Sequence, residues 1–97
     1  MSKYSSLTMQ ELKILGSLVK EDMYGYQILK ELNSNILLGS LYNTLKSMEK
    51  KGFVKSRWGE ETSNGGRRKY YKITGLGIEQ FEFSKAEIID FLNINLT

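Results

Sequence analysis

Cysteine and histidine are both absent from this sequence of 97 residues. Without cysteine, neither disulfide bonds nor thiolate metal sites can form, a composition that fits a reducing compartment. Without histidine, the chain lacks the commonest general base and a common metal ligand. Carboxylates are the remaining metal ligands, and the sequence offers no nucleophile–base pair. We therefore expect no enzymatic activity, no metal and no cofactor.

Long hydrophobic runs are also absent. The N-terminal segment does not resemble a signal peptide, and no run is long enough to span a bilayer. The length suits one structural domain. The apolar share of 40% and the charged share of 26% are ordinary for a globular chain. We therefore expect a cytoplasmic protein that makes no contact with a membrane.

The positive charge is concentrated in one part of the chain. Residues 46–72 carry nine lysines and arginines against three glutamates, although the net charge of the whole chain is only +3. Residues 1–45 are balanced, and residues 73–97 are acidic. Solubility alone needs no such clustering, whereas a surface that binds phosphate groups does.

The rest of the chain is organised around residues 38–52. Leu41, Leu45 and Met48 recur with the spacing of one helical face, which predicts a helix that starts near residues 39–40 and buries this stripe. The side chains off the stripe are polar. By themselves they fit a solvated helix face as well as a binding surface.

Two helix boundaries have clear local signals. Thr8 and Glu11 fit a capping box at the start of a first helix, expected over residues 9–20. At the end of the central helix, Gly52 stands where helices often finish in a left-handed residue, with Phe53 placed to pack back on the helix.

The apolar residues 36–38 are expected to fill the core just before the central helix. Alternating side chains predict strands over residues 53–58 and 67–74. The polar, glycine-rich residues 59–66 between the strands are expected to form a mobile hairpin tip, in which residues 64–66 supply the positive φ angles.

Thr74 can cap a last helix over residues 75–93. The apolar side chains of this helix form two adjacent stripes, which is more apolar surface than a domain of this size can cover alone. We expect the helix to pack against the first helix of a second copy, and a tighter monomer that buries everything is the alternative. The residues predicted for this dimer interface are Leu12, Leu15, Val19, Phe81, Ile88, Phe91 and Leu92.

Four segments together, residues 24–32, 39–54, 56–58 and 66–74, resemble the PadR-like family of transcriptional regulators. The resemblance runs from about Ile14 to Phe81. It implies an α+β, mainly α fold: a winged helix-turn-helix of three helices and a two-stranded wing over residues 1–74, then a C-terminal dimerisation helix over residues 75–97. Because the last helix is short, we expect the chain to resemble the compact subgroup that has no long C-terminal domain.

The resemblance also implies partners. Members of the family are dimers, mostly bacterial, that typically repress detoxification or efflux genes on double-stranded DNA. Many release DNA on binding a small, often aromatic, effector. For this chain we therefore expect a cytoplasmic, nucleoid-associated homodimer with DNA and a small aromatic effector as partners.

In such a fold the central helix enters the major groove and the wing reaches the flanking backbone or minor groove. The residues expected to contact DNA are Ser40, Tyr42, Asn43, Thr44, Lys46, Arg67, Arg68 and Lys69. Two positions depart from the family pattern: Tyr24 stands where the family usually has His, and Asn43 stands where it usually has Pro. Asn43 adds an amide that can pair with adenine, so the sequence preference of this chain is expected to differ from that of typical members.

Alternatives remain open at two points. The basic wing can instead bind an acidic protein partner, which would make the fold a protein–protein interaction module. Trp58 can be a core residue of the hairpin, or it can form the wall of a ligand site between protomers together with Tyr4, Met9 and Phe91.

Overall fold

The computed structural model describes residues 7–96, and the side chains of residues 7–93. This part of the chain forms four helices and three strands. In chain order they are α1 (Met9–Lys20), β1 (Met23–Tyr24), α2 (Gly25–Leu32), α3 (Leu38–Lys50), β2 (Val54–Glu61), β3 (Arg67–Ile73) and α4 (Gly75–Leu96). The predicted α+β, mainly helical winged helix-turn-helix is confirmed: α2 and α3 form the helix-turn-helix, and β2 and β3 form the wing.

The capping box at the start of α1 is present. The N–H of Glu11 donates to Thr8 Oγ1 over 3.0 Å, and the N–H of Thr8 donates to Glu11 Oε1 over 2.9 Å. The second carboxylate oxygen of Glu11 accepts from Lys51 Nζ over 3.4 Å. The same glutamate therefore caps α1 and ties it to the chain just after α3.

The sheet has a third strand that the sequence analysis did not predict. The strand order is β1-β3-β2, with Met23 opposite Tyr71 and Tyr24 opposite Tyr70. Sequence periodicity cannot reveal a strand of only two residues. The segment before α2 is therefore part of the sheet, where Met23 is buried in the core.

One hydrophobic core lies between α1, α2, α3 and the sheet. Ile14, Leu15, Ile28, Leu41, Leu45 and Met48 are wholly buried there. Leu15 was predicted for the dimer interface, and this prediction is wrong, because its side chain is enclosed within its own protomer. The prediction that residues 36–38 fill the core holds only for Ile36, which packs against it, whereas Leu37 and Leu38 are exposed.

The C-terminal end of α3 is closed by a Schellman motif. The N–H of Phe53 donates to the carbonyl of Met48 over 2.9 Å, and the N–H of Gly52 donates to that of Glu49 over 3.0 Å. Gly52 has a φ of 86°, in the left-handed region expected for it. Thr74 Oγ1 donates to the Gly52 carbonyl over 2.6 Å, so the start of α4 is fastened to the end of α3.

The wing is longer and its turn tighter than predicted. β2 continues to Glu61 rather than ending at Trp58, with an irregularity in the pairing between these two residues. In the turn, the N–H of Thr62 donates to the carbonyl of Gly66. Only Gly65 has a positive φ there, not all three of residues 64–66.

Helix α4 starts from the expected cap, since the N–H of Gly77 donates to Thr74 Oγ1 over 3.0 Å. Its first half packs on α1 of the same protomer. There Phe81 lies against Gly16, so close that a Cβ at position 16 would stand 3.2 Å from its ring. Part of the surface of Phe81, which was predicted for the dimer interface, is therefore buried within its own protomer. No helix in the described part of the chain is long and apolar enough to cross a membrane.

Candidate nucleic-acid interface

A concave surface of about 570 Å³ lies between α3 and the wing. It brings together five of the eight residues predicted to contact DNA, from segments more than twenty residues apart in the chain. The residues that line it are Tyr24, Tyr42, Lys46, Glu49, Trp58, Arg67, Arg68, Lys69 and Tyr71.

Helix α3 is oriented by its buried stripe. Leu41, Leu45 and Met48 face the core, which turns Tyr42 and Lys46 towards the concave surface. The helix therefore presents an aromatic hydroxyl and a cation on the side that faces the wing.

Asn43 and Thr44 lie on the opposite side of the exposed face of α3. They line a second depression of about 450 Å³ with residues near the start of α1, including Thr8 and Gln10. Thr44 Oγ1 donates to the carbonyl of Ser40 over 3.1 Å, which occupies the hydroxyl and leaves the methyl group for other contacts. Ser40 is exposed in the first turn of α3 and lines neither depression.

Tyr42 combines a structural contact with exposure. Its ring lies over Gly25, so close that a Cβ at position 25 would stand 2.5 Å from its hydroxyl oxygen. Any larger residue at position 25 would displace the ring. Tyr42 thus supports the start of α2 and is still 40% exposed.

Two of the three predicted wing cations lie over aromatic rings, and the third is bound to the backbone. The guanidinium of Arg68 lies 4.5 Å from the centre of the Tyr24 ring, and Lys69 Nζ lies 5.6 Å from that of Trp58. Arg67 Nε donates to the carbonyl of Gly59 over 3.0 Å. These contacts orient three positive side chains along the rim that faces α3.

A family model settles what kind of protein carries this surface. The model of the transcriptional regulator PadR-like family matches residues 14–82. The chain belongs to this family. The resemblance seen in the sequence is thereby confirmed, and PadR-like proteins are transcriptional regulators rather than enzymes.

Two proteins are similar in sequence to this PadR-like chain, and one of them is a PadR family regulator. An uncharacterised protein of Lysinibacillus sphaericus is 37% identical over 70 residues, which cover 66% of this chain and 63% of that protein. A PadR family transcription regulator from Clostridium difficile R20291 is 38% identical in sequence, with a TM-score of 0.77 and coverage of 93% of this chain and 100% of that one.

A further likeness concerns the fold alone. Bacillus subtilis PadR, in a crystal structure with operator DNA, has a TM-score of 0.68 and 22% identity to this chain. The match covers 77% of this chain and 45% of that one. At this identity the likeness establishes that the two proteins share a winged helix-turn-helix.

Trp58 lies in the concave surface of the PadR-like fold and not in the hairpin core, because the residue is 57% exposed. The core prediction for Trp58 is therefore wrong. Of its suggested neighbours, Met9 and Phe91 do not line this surface, and Tyr4 lies outside the described residues.

Sequence reasoning missed Tyr24, Glu49 and Tyr71 as parts of this surface. Glu49 Oε2 accepts from Ser56 Oγ over 2.7 Å, which links α3 to β2. Burial raises the pKa of the Tyr71 hydroxyl, and the nearby Glu49 and Tyr42 raise it further. The strand periodicity held the signal. Tyr71 stands two residues after Lys69 on β3, so both side chains lie on the same face of the sheet.

Proposed function

We propose that this PadR-like chain is a sequence-specific regulator that binds double-stranded DNA. It acts as a cytoplasmic, nucleoid-associated homodimer and represses transcription from a pseudo-palindromic operator. One observation carries the proposal: Tyr42 and Lys46 of α3 share a concave surface with Arg67, Arg68 and Lys69 of the wing. The complex of Bacillus subtilis PadR with operator DNA, formed by a protein of the same fold, supports it.

Base recognition is assigned to the first turns of α3. A helix fits the major groove, where its N-terminal residues reach the base edges. Asn43 can pair bidentately with adenine, and the Thr44 methyl can contact thymine. Ser40 and Lys46 are assigned to phosphates, and Tyr42 lies beside Lys46 at the edge of α3 that faces the wing.

Backbone contacts are assigned to the wing. Arg67 and Arg68 are exposed, Lys69 is half-buried, and all three lie opposite α3. Phosphate neutralisation releases counterions, so affinity should fall steeply with salt. A basic surface of this kind also fits the alternative, an acidic protein partner, and the two functions differ in base discrimination.

The proposed dimer uses α4 and α1. Val19, Ile89, Phe91 and Leu92 are 47 to 64% exposed, and Leu12 and Ile88 are half-buried. One winged helix buries too little surface to be both tight and specific, whereas a two-fold dimer places two recognition helices about 34–36 Å apart on DNA. Sedimentation should show a dimer at micromolar concentration. Replacing Phe91 and Leu92 by Glu should give monomers, whereas Tyr26→Glu, at an exposed aromatic on α2, should not.

A small aromatic effector completes the proposal. The family resemblance supports it, and so do the four aromatic side chains that line the concave surface, Tyr24, Tyr42, Trp58 and Tyr71. An aromatic acid bound there would compete with DNA. A titration that displaces DNA without changing the oligomeric state would agree with this part of the proposal, and a panel of such acids without effect would remove it.

The DNA proposal is tested by a gel-shift assay on the DNA upstream of the gene, beside a scrambled duplex. The wild-type protein should prefer its own sequence. The double variant Asn43→Ala/Thr44→Ala should bind weakly but without preference. Lys46→Ala should lower the slope of log K against log salt by about 0.9 per lost phosphate contact. Lys85→Ala, on α4, is the matched control and should leave the slope unchanged. Absence of DNA binding at low salt would contradict the proposal and favour the acidic partner.

A further inference from the structure

Two leucines at the start of α3 are exposed. Leu37 is 77% exposed, the highest value among the large hydrophobic residues of the described chain, and Leu38 is 38% exposed. Neither forms part of the core that surrounds the next leucine, Leu41. The side chain of Leu37 therefore buries little apolar surface when the protein folds, whereas Leu38 is more than half covered.

Folding does not account for leucine at position 37. Leu37 is the N-cap of α3, with extended backbone angles, and its carbonyl accepts from the N–H of Leu41 over 3.0 Å. A Ser, Thr, Asn or Asp side chain there would bond a free N–H of the first turn, which leucine cannot do. The position thus combines a helix start without a side-chain cap with an apolar side chain that gains almost nothing from folding.

The position of Leu37 indicates what such a side chain is for. It directly precedes the first turn of α3 and lies three residues before the exposed Ser40. In the proposed function, which this inference deepens, that turn meets the floor of the major groove. The major-groove edge of the bases carries one apolar group, the C5-methyl of thymine.

We infer that Leu37, with Leu38 beside it, contacts thymine methyl groups and selects thymine at one position in each half-site of the operator. The contact removes apolar surface of both partners from water, which favours binding. Folding alone gives the Leu37 side chain no such gain. Leu37 is then a specificity determinant that works by shape and apolar contact, next to the hydrogen bonds of Asn43.

The test uses a duplex selected from a random-sequence pool by the full-length protein. Each thymine of the selected duplex is replaced in turn by deoxyuridine, which removes only the methyl group, and affinities are measured by fluorescence anisotropy. At one thymine per half-site, the wild-type affinity should fall about fourfold, the value of one buried methyl group. Leu37→Ala should bind the thymine and deoxyuridine duplexes equally at that position.

Leu76→Ala is the matched control. Leu76 is 42% exposed but lies beside Gly52, at the other end of α3, so this variant should discriminate thymine like the wild type. Leu37→Met should keep the preference, because it keeps an apolar side chain of similar reach. Additive losses for Leu37→Ala and deoxyuridine at every thymine would overturn the inference alone. A pool without any enriched sequence would overturn the proposed function and this inference with it.

Discussion

The two ends of α3 differ in how they are held. At the C-terminal end, Gly52 and Phe53 close the helix with two backbone hydrogen bonds, and only 6% of Phe53 is exposed. At the N-terminal end, Leu37 provides no side-chain cap, and its side chain lies in solvent. One helix therefore has an end whose residues favour folding and an end whose residues do not.

The difference separates the end that positions α3 from the end to which the proposed function assigns DNA recognition. The closed end is fastened to the start of α4 by Thr74, whose hydroxyl donates to the Gly52 carbonyl, so the direction of α3 is set from that side. At the open end, the exposed side chain of Leu37 is available to a DNA groove. Substitutions at the closed end should act on stability, and those at the open end on DNA binding.

The largest effect is expected at Gly77, behind the closed end. A Cβ at this position would overlap the carbonyl oxygen of Phe53 and lie 2.8 Å from the Ile73 side chain. Gly77→Ala should lower the free energy of unfolding by about 3 kcal/mol, measured by urea denaturation. Gly75→Ala, two residues earlier in the same helix, meets nothing within 4 Å and should stabilise by roughly 0.5 kcal/mol through helix propensity. Equal effects at both positions would show that helix propensity decides, rather than packing.

A pair of glycines compares the two ends directly. Gly52→Ala forces a side chain into a φ of 86° and should cost about 1 kcal/mol of stability. Gly39→Ala, in the first turn, meets no atom within 4 Å and should stabilise by roughly 0.5 kcal/mol. Thermal melts of the two variants should thus shift in opposite directions. If both melting temperatures shifted in the same direction, the two ends of α3 would not differ in how they tolerate a side chain.

Leu37→Ser sharpens the comparison from the open side. Serine can cap α3, so we expect a gain of about 1 kcal/mol in the free energy of unfolding. The same variant should lose the proposed thymine preference. A stability gain with intact thymine preference would contradict the role of Leu37 in recognition, whereas a loss of stability would mean that Leu37 contributes to folding after all.

The smallest effect concerns pH. Burial, Glu49 and Tyr42 raise the pKa of Tyr71 above its ordinary value of about 10. The unfolded chain therefore loses this proton first as pH rises, so the contribution to stability is full below about pH 10 and declines as pH passes through the folded pKa. Tyr71→Phe should flatten the alkaline end of a stability profile. An unchanged profile would assign the alkaline loss to other groups, such as the lysines.

Features with local causes could be predicted from the sequence. The capping box of Thr8 and Glu11, the buried stripe of α3 and the closure at Gly52 each depend on residues within one or two turns. The family resemblance extended this to the winged helix-turn-helix. Contacts with DNA and between protomers remain predictions. Burial already removes Leu15 from the residues predicted for the dimer interface.

Errors arose where partners are far apart in sequence. Leu37 and Leu38 directly follow Ile36 in an apolar run of three, and nothing local distinguishes them from it. Trp58 ends a predicted strand, yet the strand continues and carries its side chain beyond the core. The strand of Met23 and Tyr24 exists because β3, more than forty residues later, offers unpaired backbone groups beside it.

The sequence by itself therefore determined the helices and the concentration of positive charge in residues 46–72, because these follow from nearby residues and composition. It determined the family through the resemblance of four segments to known members. Only the tertiary structure decided that Tyr42 and Lys46 share a surface with Arg67, Arg68 and Lys69, since packing of α3 on the sheet brings the two segments together. It also decided which apolar residues stay exposed. Burial depends on what the whole chain places around a side chain, which no local pattern records.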